Sequence, residues 1–322
     1  MANPAPTRTA AVIYNPIKVD LDALKGAVEA EPGSAGWRVV WLPTSEEDPG
    51  QGPAREALDA GASVVIAAGG DGTVRAVAEV LRGTDAALAL LPSGTGNLLA
   101  RNLALTLDDA AHSLATAFSG SDRAIDIALI EIRRADRSVD NHAFLVMAGA
   151  GLDAQIMSNT DPELKKTVGW LAYAQALGVV MRDKTVLRLQ YTFDGHRTHS
   201  ARAQAIIVGN CGLLPANILL LPDAVVDDGL LDIVVLKPES IRGWFEVVFT
   251  IFWENGVVRR LPWGKRVSGL KSEAVHFRQA ASVTARLSKP EEIELDGDPF
   301  GEAVGFRVTI DAGGLTVKVP GA

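Results

Sequence analysis

The sequence predicts two dissimilar halves: a three-layer α/β domain with a mostly parallel sheet, then an antiparallel, β-sandwich-like domain. Three observations predict this. Apolar runs alternate with amphipathic stretches as far as Arg123, which is the pattern of right-handed βαβ crossovers. From Ala124 onward, strand-like runs follow one another with turn dipeptides between them, such as Asp194-Gly195, Asp228-Gly229 and Asp296-Gly297. Two glycine-rich loops follow directly on apolar runs of the first half, where a parallel sheet places its ligand-binding edge. The expected boundaries are 1–123 and 124–322, with the final residues returning to the first domain.

Within the first half, Thr9–Tyr14 reads as a strand ending in Asn15-Pro16, and Asp20–Glu31 as a helix. Trp37–Leu42, Ser63–Ala68 and Ala86–Leu91 read as further strands. Ala54–Ala60 and Gly72–Arg82 read as helices, the second with Val74, Val77, Ala78 and Leu81 on one face. Another helix starts near Asn97. In the second half the expected strands are Ala124–Arg133, His142–Ala148, Lys184–Phe193, Arg202–Val208, Leu231–Leu236, Ala274–Ala280, Ser282–Leu287, Glu292–Leu295, Gly305–Ile310 and Leu315–Val319. Helices are expected over Pro162–Met181 and Ile241–Asn255.

The 322 residues are enough for two cores, and 48% hydrophobic with 22% charged residues is an ordinary globular balance. A formal net charge of -8 and a pI near 5.2 argue against nucleic acid as a partner, because neutralising phosphates needs a basic surface. The same acidity argues against electrostatic attachment of the whole molecule to acidic lipid, though not against a local basic patch. The single cysteine, Cys211, allows no intrachain disulfide and fits a reducing cytoplasm. Met1–Thr9 lacks the apolar core of a signal peptide, and no apolar run is long enough to span a bilayer.

Chemistry concentrates first in Gly69-Gly70-Asp71-Gly72-Thr73, between a strand and a helix. Glycines let backbone amides approach phosphate oxygens, and the helix N-terminus adds a favourable dipole. An aspartate there suits Mg²⁺ or the proton of an attacking hydroxyl; its plain structural alternative is a helix N-cap. The second loop is Pro92-Ser93-Gly94-Thr95-Gly96-Asn97, with Arg101 one turn on. Asn97 reads equally as a ligand contact or an N-cap. No Gly-Lys-Ser/Thr phosphate loop is present. Gly149-Ala150-Gly151-Leu152-Asp153-Ala154 imitates a dinucleotide fingerprint but lacks the acidic residue expected about 20 positions later.

These segments together make the chain resemble the diacylglycerol kinase catalytic-domain family, which includes bacterial lipid kinases and the sphingosine and ceramide kinases. The resemblance runs in order through Asn15-Pro16, the GGDGT loop, the PSGTGN loop with Ala100-Arg101, Gly149–Ala154, Pro222-x-Ala224-x-x-x-Asp228-Gly229-x-Leu231-Asp232, and Leu295-Asp296-Gly297. It implies an active site in the cleft between the domains, with ATP lined by Asn15, Thr44, Gly69, Gly70, Gly72, Thr73, Gly94, Thr95 and Asn97. It implies Mg²⁺ held by the Asp228 carboxylate and the carbonyls of Val225 and Leu230; the residues alone read Asp227-Asp228-Gly229 as a hairpin turn. It implies Asp296 as the base on the lipid hydroxyl, with Asp71 organising phosphate and metal, although some relatives give the base role to the residue matching Asp71. By its position alone Asp296 reads as a turn residue.

The implied activity is ATP- and Mg²⁺-dependent transfer of the γ-phosphate to a lipid hydroxyl, foremost diacylglycerol. The alternatives are a sphingoid or other glycerolipid acceptor, an NAD kinase, and a non-catalytic nucleotide-binding regulator. The expected setting is cytoplasmic, peripheral to the membrane, with a homodimer left open. Two departures stand out. Many relatives carry Ser-Gly after Asn-Pro, where this chain has Ile17-Lys18; Lys18 reads as a solvated lysine before a phosphate contact. The late motif ends in Asp298 where glutamate is usual. Lys165 and Lys166 match a basic stretch of the family and read equally as exposed helix lysines. Phe245, Val248, Phe249, Phe252 and Trp253 fall on one side of a helix within Trp244–Val258, with Arg259, Arg260, Lys265 and Arg266 next; a core helix is preferred there over a membrane-touching one.

Overall fold

The computed structural model describes residues 8–151, 186–215, 218–238, 240–250 and 274–321. The chain divides into two compact units: Met1–Ile127 with Val226–Asp228 and Asp311–Ala322, and Ala128–Val225 with Gly229–Ile310.

The first unit runs β1 (Arg8–Tyr14), α1 (Leu21–Ala30), a 3₁₀ turn at Pro32–Ser34, β2 (Trp37–Pro43), α2 (Gln51–Asp59), β3 (Val64–Gly69), α3 (Asp71–Leu81), β4 (Ala87–Pro92), α4 (Leu98–Asn102) and α5 (Ala110–Ser119). The sheet order is β2-β1-β3-β4, all parallel. Residues alternate between its faces. Ala10, Val12, Tyr14, Val64, Ile66, Ala68, Ala89 and Leu91 meet Leu24 and Val28 of α1 and Leu114, Ala117 and Phe118 of α5. The intervening Ala11, Ile13, Val65 and Ala67 are equally buried and face the layer of α2 and α3. Strands buried on both sides read as continuous apolar runs, which is why they were visible in sequence. The helix α5 is absent from the sequence reading. Its signal is the Asp109 cap, which accepts from His112 N–H, followed by Leu114, Ala117 and Phe118 at helical spacing.

Two later segments complete this unit. Val317 lies opposite Leu88 in parallel pairing. Asp126 N–H donates to the Val226 carbonyl, and the Asp126 carboxylate accepts from Gly313 N–H. The ion pairs Arg82–Asp311 and Arg123–Asp227, each at 2.7 Å, fasten the same segments.

The chain continues through β5 (Ser121–Arg133), β6 (Val139–Phe144), β7 (Met147–Ala150), β8 (Leu187–Phe193), β9 (His199–Ala203), β10 (Ala205–Gly209), β11 (Leu213–Leu214), β12 (Ile218–Leu219), β13 (Leu231–Leu236), α6 (Ile241–Val248), β14 (Val275–Ala280), β15 (Ser282–Leu295) and β16 (Asp298–Val319). In the second unit the antiparallel order is β14-β13-β10-β7-β15-β16, and β8 joins β15 to β9. Several sequence-level strands differ. The run His142–Ala148 is two strands, broken at Leu145-Val146, where the amides leave the ladder for a carboxylate described below. Arg202–Val208 breaks at Gln204. Conversely, Ser282–Leu287 and Glu292–Leu295 belong to one strand that is irregular between Arg286 and Glu291: its first part pairs with β8, its last with β7. Gly305–Ile310 and Leu315–Val319 likewise lie on the single strand β16.

Helix α6 buries Trp244 and Val247 against Leu221, Val234, Leu236 and Val275, so its inner face is core, while Phe249 is 49% exposed. The rest of the stretch, from residue 251, lies outside the described residues, as do the expected helix Pro162–Met181, Lys165, Lys166 and the end of the Gly149–Ala154 string. Among the described residues no helix is long and apolar enough to cross a membrane.

Candidate active site

All nine residues expected at the nucleotide lie at or beside the carboxyl ends of β1, β2, β3 and β4. Backbone bonds stitch these ends together in sheet order: Thr44 N–H to the Tyr14 carbonyl, Asn15 N–H to Ala68, and Ser93 N–H to Gly69. Thr44 and Thr73 are buried and Thr95 is exposed. The Asn15 side chain closes its own turn by accepting from Ile17 N–H at 2.9 Å.

The two glycine loops touch backbone to backbone. A β-carbon on Gly94 would fall 2.7 Å from the Gly70 α-carbon, closer than two carbons approach. A side chain at Gly94 is therefore excluded by a neighbour that cannot swing away. Asn97 locks the second loop: its amide donates to the Gly94 carbonyl and accepts from Gly94 N–H, and Arg101 Nε donates to the Gly96 carbonyl. Asn97 does occupy the N-cap position of α4, in the left-handed region at φ 47°, yet its side chain makes no capping bond.

Asp71 is not the N-cap of α3; that position is Gly70. Its carboxylate reaches the other loop and accepts from Leu98 N–H at 2.6 Å. Gly96 lies so close to that carboxylate that a β-carbon there would strike it. Asp71 thus couples the two loops, a duty the sequence reading did not assign. Lys18, read from sequence as solvated, has its ammonium 3.1 Å from where a Gly70 β-carbon would stand. The lysine fills the space that the glycine leaves, over the phosphate-type loop.

In the second unit, Asp296 follows β15 with φ 50°, and Gly297 follows with φ 90°. Two successive left-handed residues make the tight hairpin that favours Asp-Gly. The carboxylate turns inward, and the residue as a whole is 5% exposed. One oxygen accepts from Val146 and Met147 N–H at 2.8 and 2.9 Å, the other from Leu145 N–H at 2.9 Å. An ionised carboxylate, an acceptor with no proton to donate, suits three converging donors. Cys211 lies nearby with Sγ 3.4 Å from the Leu145 carbonyl; burial first, and the Asp296 charge second, push its thiol well above the ordinary range. It is a packed side chain and not a nucleophile.

For the expected metal ligands, the structure separates two adjacent carboxylates. Both are exposed; Asp227 accepts two guanidinium contacts from Arg123, and Asp228 is engaged elsewhere. Asp228 belongs to the first unit, Val225 and Leu230 to the second. Among the described residues no three His, Cys, Asp or Glu side chains converge as a metal site. Backbone carbonyls are not among those groups, and as donor types carboxylate and carbonyl oxygens suit Mg²⁺.

Comparison with known proteins extends over nearly the whole chain. The family model for the diacylglycerol kinase catalytic domain matches residues 9–130, and that for the YegS C-terminal NAD kinase beta sandwich-like domain matches 146–319. A Pseudomonas fluorescens protein named "Probable lipid kinase YegS-like" is 32% identical over 93% of this chain and 91% of its own. A Cronobacter sakazakii protein of the same name is 28% identical over 96% of this chain and 95% of its own. Among solved structures, one titled a diacylglycerol kinase from Bacillus anthracis superposes with a TM-score of 0.66 at 18% identity, covering 97% of this chain and 96% of that one. Yeast NADH kinase shares the fold more distantly, with a TM-score of 0.52 at 10% identity, covering 99% of this chain and 80% of that one. With its glycine edge and its inward-turned Asp-Gly hairpin, this chain belongs to the YegS-like lipid kinases of the diacylglycerol kinase catalytic-domain family, phosphotransferases with an alcohol acceptor.

Proposed function

We propose that this chain is an ATP- and Mg²⁺-dependent diacylglycerol kinase that works from the cytoplasm on a lipid at the membrane surface. In the proposed reaction the lipid hydroxyl oxygen bonds to the γ-phosphorus, the bond to the ADP oxygen breaks, and the hydroxyl proton passes to a carboxylate. The observation that carries this reading is the contact of Gly70 with Gly94 under the Lys18 ammonium. It supports a cradle of backbone amides and one cation for a polyphosphate.

In this reading Asn15, Thr44, Gly69, Gly70, Gly72, Thr73, Gly94, Thr95 and Asn97 hold ATP, and Asp71 keeps the two loops in register. Asp228, with the carbonyls of Val225 and Leu230, would hold Mg²⁺, which offsets phosphate charge when bound. Asp296 orients the acceptor hydroxyl and receives its proton. Phosphoryl transfer depends chiefly on positioning and charge neutralisation, so a carboxylate fixed by three amides suits an orienting role better than that of a strong base.

The test is transfer from γ-labelled ATP to a panel of hydroxyl acceptors: diacylglycerol, monoacylglycerol, a sphingoid base and NAD, with and without EDTA. Labelled phosphatidic acid that disappears with EDTA is the expected result. Preferential labelling of NAD or of the sphingoid base would overturn the acceptor assignment, and turnover in EDTA would overturn the metal.

A further inference from the structure

We propose that the outer face of β8, β9 and β15 is a docking surface for the phosphate headgroups of an acidic phospholipid bilayer. This rests on the reading that the substrate is a membrane lipid. Along β8, Leu187, Leu189 and Tyr191 point into the core while Arg188 and Gln190 point out. A concavity of about 580 Å³ on that outer face is lined by Arg188, Arg202, Arg286, Gln190, Ser200 and Ser288, among others. A second, of about 200 Å³, shares Gln190 and Arg286 and adds Thr192, Thr198 and Thr284. Among the described residues no carboxylate lines either one.

The register concentrates charge further. Arg188 lies directly opposite Arg202, and Arg286 opposite Gln190. Thr284 lies opposite Thr192 on one side and Arg307 of β16 on the other, which brings a fourth guanidinium to the same face. Like charges directly opposite each other on a sheet destabilise it. None of the four arginines forms an ion pair among the described residues. In a chain of net charge -8, no acidic side chain among the described residues pairs with them.

Guanidinium groups match phosphate oxygens bidentately, and the flanking hydroxyls and amide add neutral donors. Basic residues near an anionic leaflet each strengthen binding by about fivefold, and the effect fades with salt. The acidic remainder of the molecule then favours one orientation on the membrane, with this face inward. The four arginines all belong to the second unit and the glycine edge to the first.

The experiment is flotation of the full chain with vesicles of phosphatidylcholine alone or mixed with phosphatidylglycerol, comparing wild type with R188Q/R202Q/R286Q/R307Q. Wild type should float with the mixed vesicles in low salt, and the variant should bind at least about tenfold more weakly. Its melting temperature should not fall, since the Arg188–Arg202 repulsion is relieved. Turnover on lipid dispersed in neutral detergent micelles should be unchanged, which separates docking from chemistry: failure of lipid phosphorylation with flotation intact would strike the kinase reading alone. Thr198→Lys, at an exposed position on the same face, should strengthen flotation even if the fourfold variant does not fold. Equal flotation of wild type and variant would overturn the proposal. So would inorganic phosphate raising the melting temperature of wild type but not of the variant while neither floats, which would assign the face to a soluble anion.

Discussion

Asp71 and Asp296 both sit beside glycines at the carboxyl ends of strands, and the protein uses them differently. At the glycine edge of the first unit, backbone packs on backbone, and Asp71 lends an oxygen to one amide of the neighbouring loop. At the hairpin of the second unit, the carboxylate of Asp296 replaces a piece of sheet, taking the two amides of the break at Leu145-Val146 and the first amide of β7. One carboxylate couples two preformed loops; the other holds a strand break in place. The difference lies in what each carboxylate is seen to hold, an amide of another loop for Asp71 and three amides of a strand break for Asp296, and it predicts how each tolerates an amide in its place.

The largest effect should come from Asp296→Asn. An asparagine oxygen can keep the Val146 and Met147 bonds, but its NH₂ then faces Leu145 N–H, donor against donor. A buried donor left without a partner costs about 1–3 kcal/mol. For a protein of this size that lowers the melting temperature by several degrees, at about 2–4 °C per kcal/mol. If Asp296 also orients the hydroxyl and takes its proton, kcat should fall by about 10²-fold or more at temperatures where the variant is folded. ATP affinity should stay near wild type, and added Mg²⁺ should not restore turnover. A destabilised variant with normal kcat would make Asp296 a structural anchor alone.

Asp71→Asn sharpens the contrast. A single amide oxygen can still accept from Leu98 N–H, so the loop coupling survives the loss of charge. The melting temperature should stay within a few degrees of wild type, whereas Asp71→Ala should cost about 1–2 kcal/mol by orphaning that amide. Activity of Asp71→Asn should still drop by about tenfold or more, with partial rescue by excess Mg²⁺, if its charge organises phosphate and metal. Thermal melts and a Mg²⁺ titration of kcat on both variants read these outcomes. A variant Asp71→Asn that melts as low as Asp71→Ala would mean the coupling depends on charge and not on shape.

The glycine edge was legible in the sequence because its chemistry is backbone chemistry. Gly69 and Gly94 stand where a β-carbon would meet neighbouring atoms at 2.7 Å, and buried parallel strands announce themselves as apolar runs. Asp71 shows the limit: its place between glycines marked a site, but a bond to Leu98, 27 positions on, is not written in any local pattern. The break in the second half was hidden for the same reason. Leu145 and Val146 are apolar residues inside an apolar run, and only the distant Asp296 takes their amides out of the ladder. Periodicity likewise divided β15 and β16 at their irregular and glycine-containing stretches, because a strand that changes partners along its length loses its alternation without ending.

Lys18 carries the smallest expected effect and the one least visible beforehand, since an exposed lysine in a loop is ordinarily solvated. Its ammonium lies over Gly70, in a loop where many relatives have Ser-Gly, and no ion pair occupies it among the described residues. If phosphate binds over Gly70, a point charge at this spot would add to the attraction of the loop amides. The side chain is exposed, so solvent screens the interaction and bounds its size. Lys18→Met should raise the KM for ATP by about three- to tenfold, leave kcat within about twofold, and leave the melting temperature unchanged. The defect should grow less distinct from wild type as salt rises, because wild type loses the same attraction. Lys18→Arg should retain most of the affinity if charge is what matters. A Lys18→Met enzyme with wild-type KM at low ionic strength would return the residue to solvent and leave the glycine amides as the whole of the phosphate cradle.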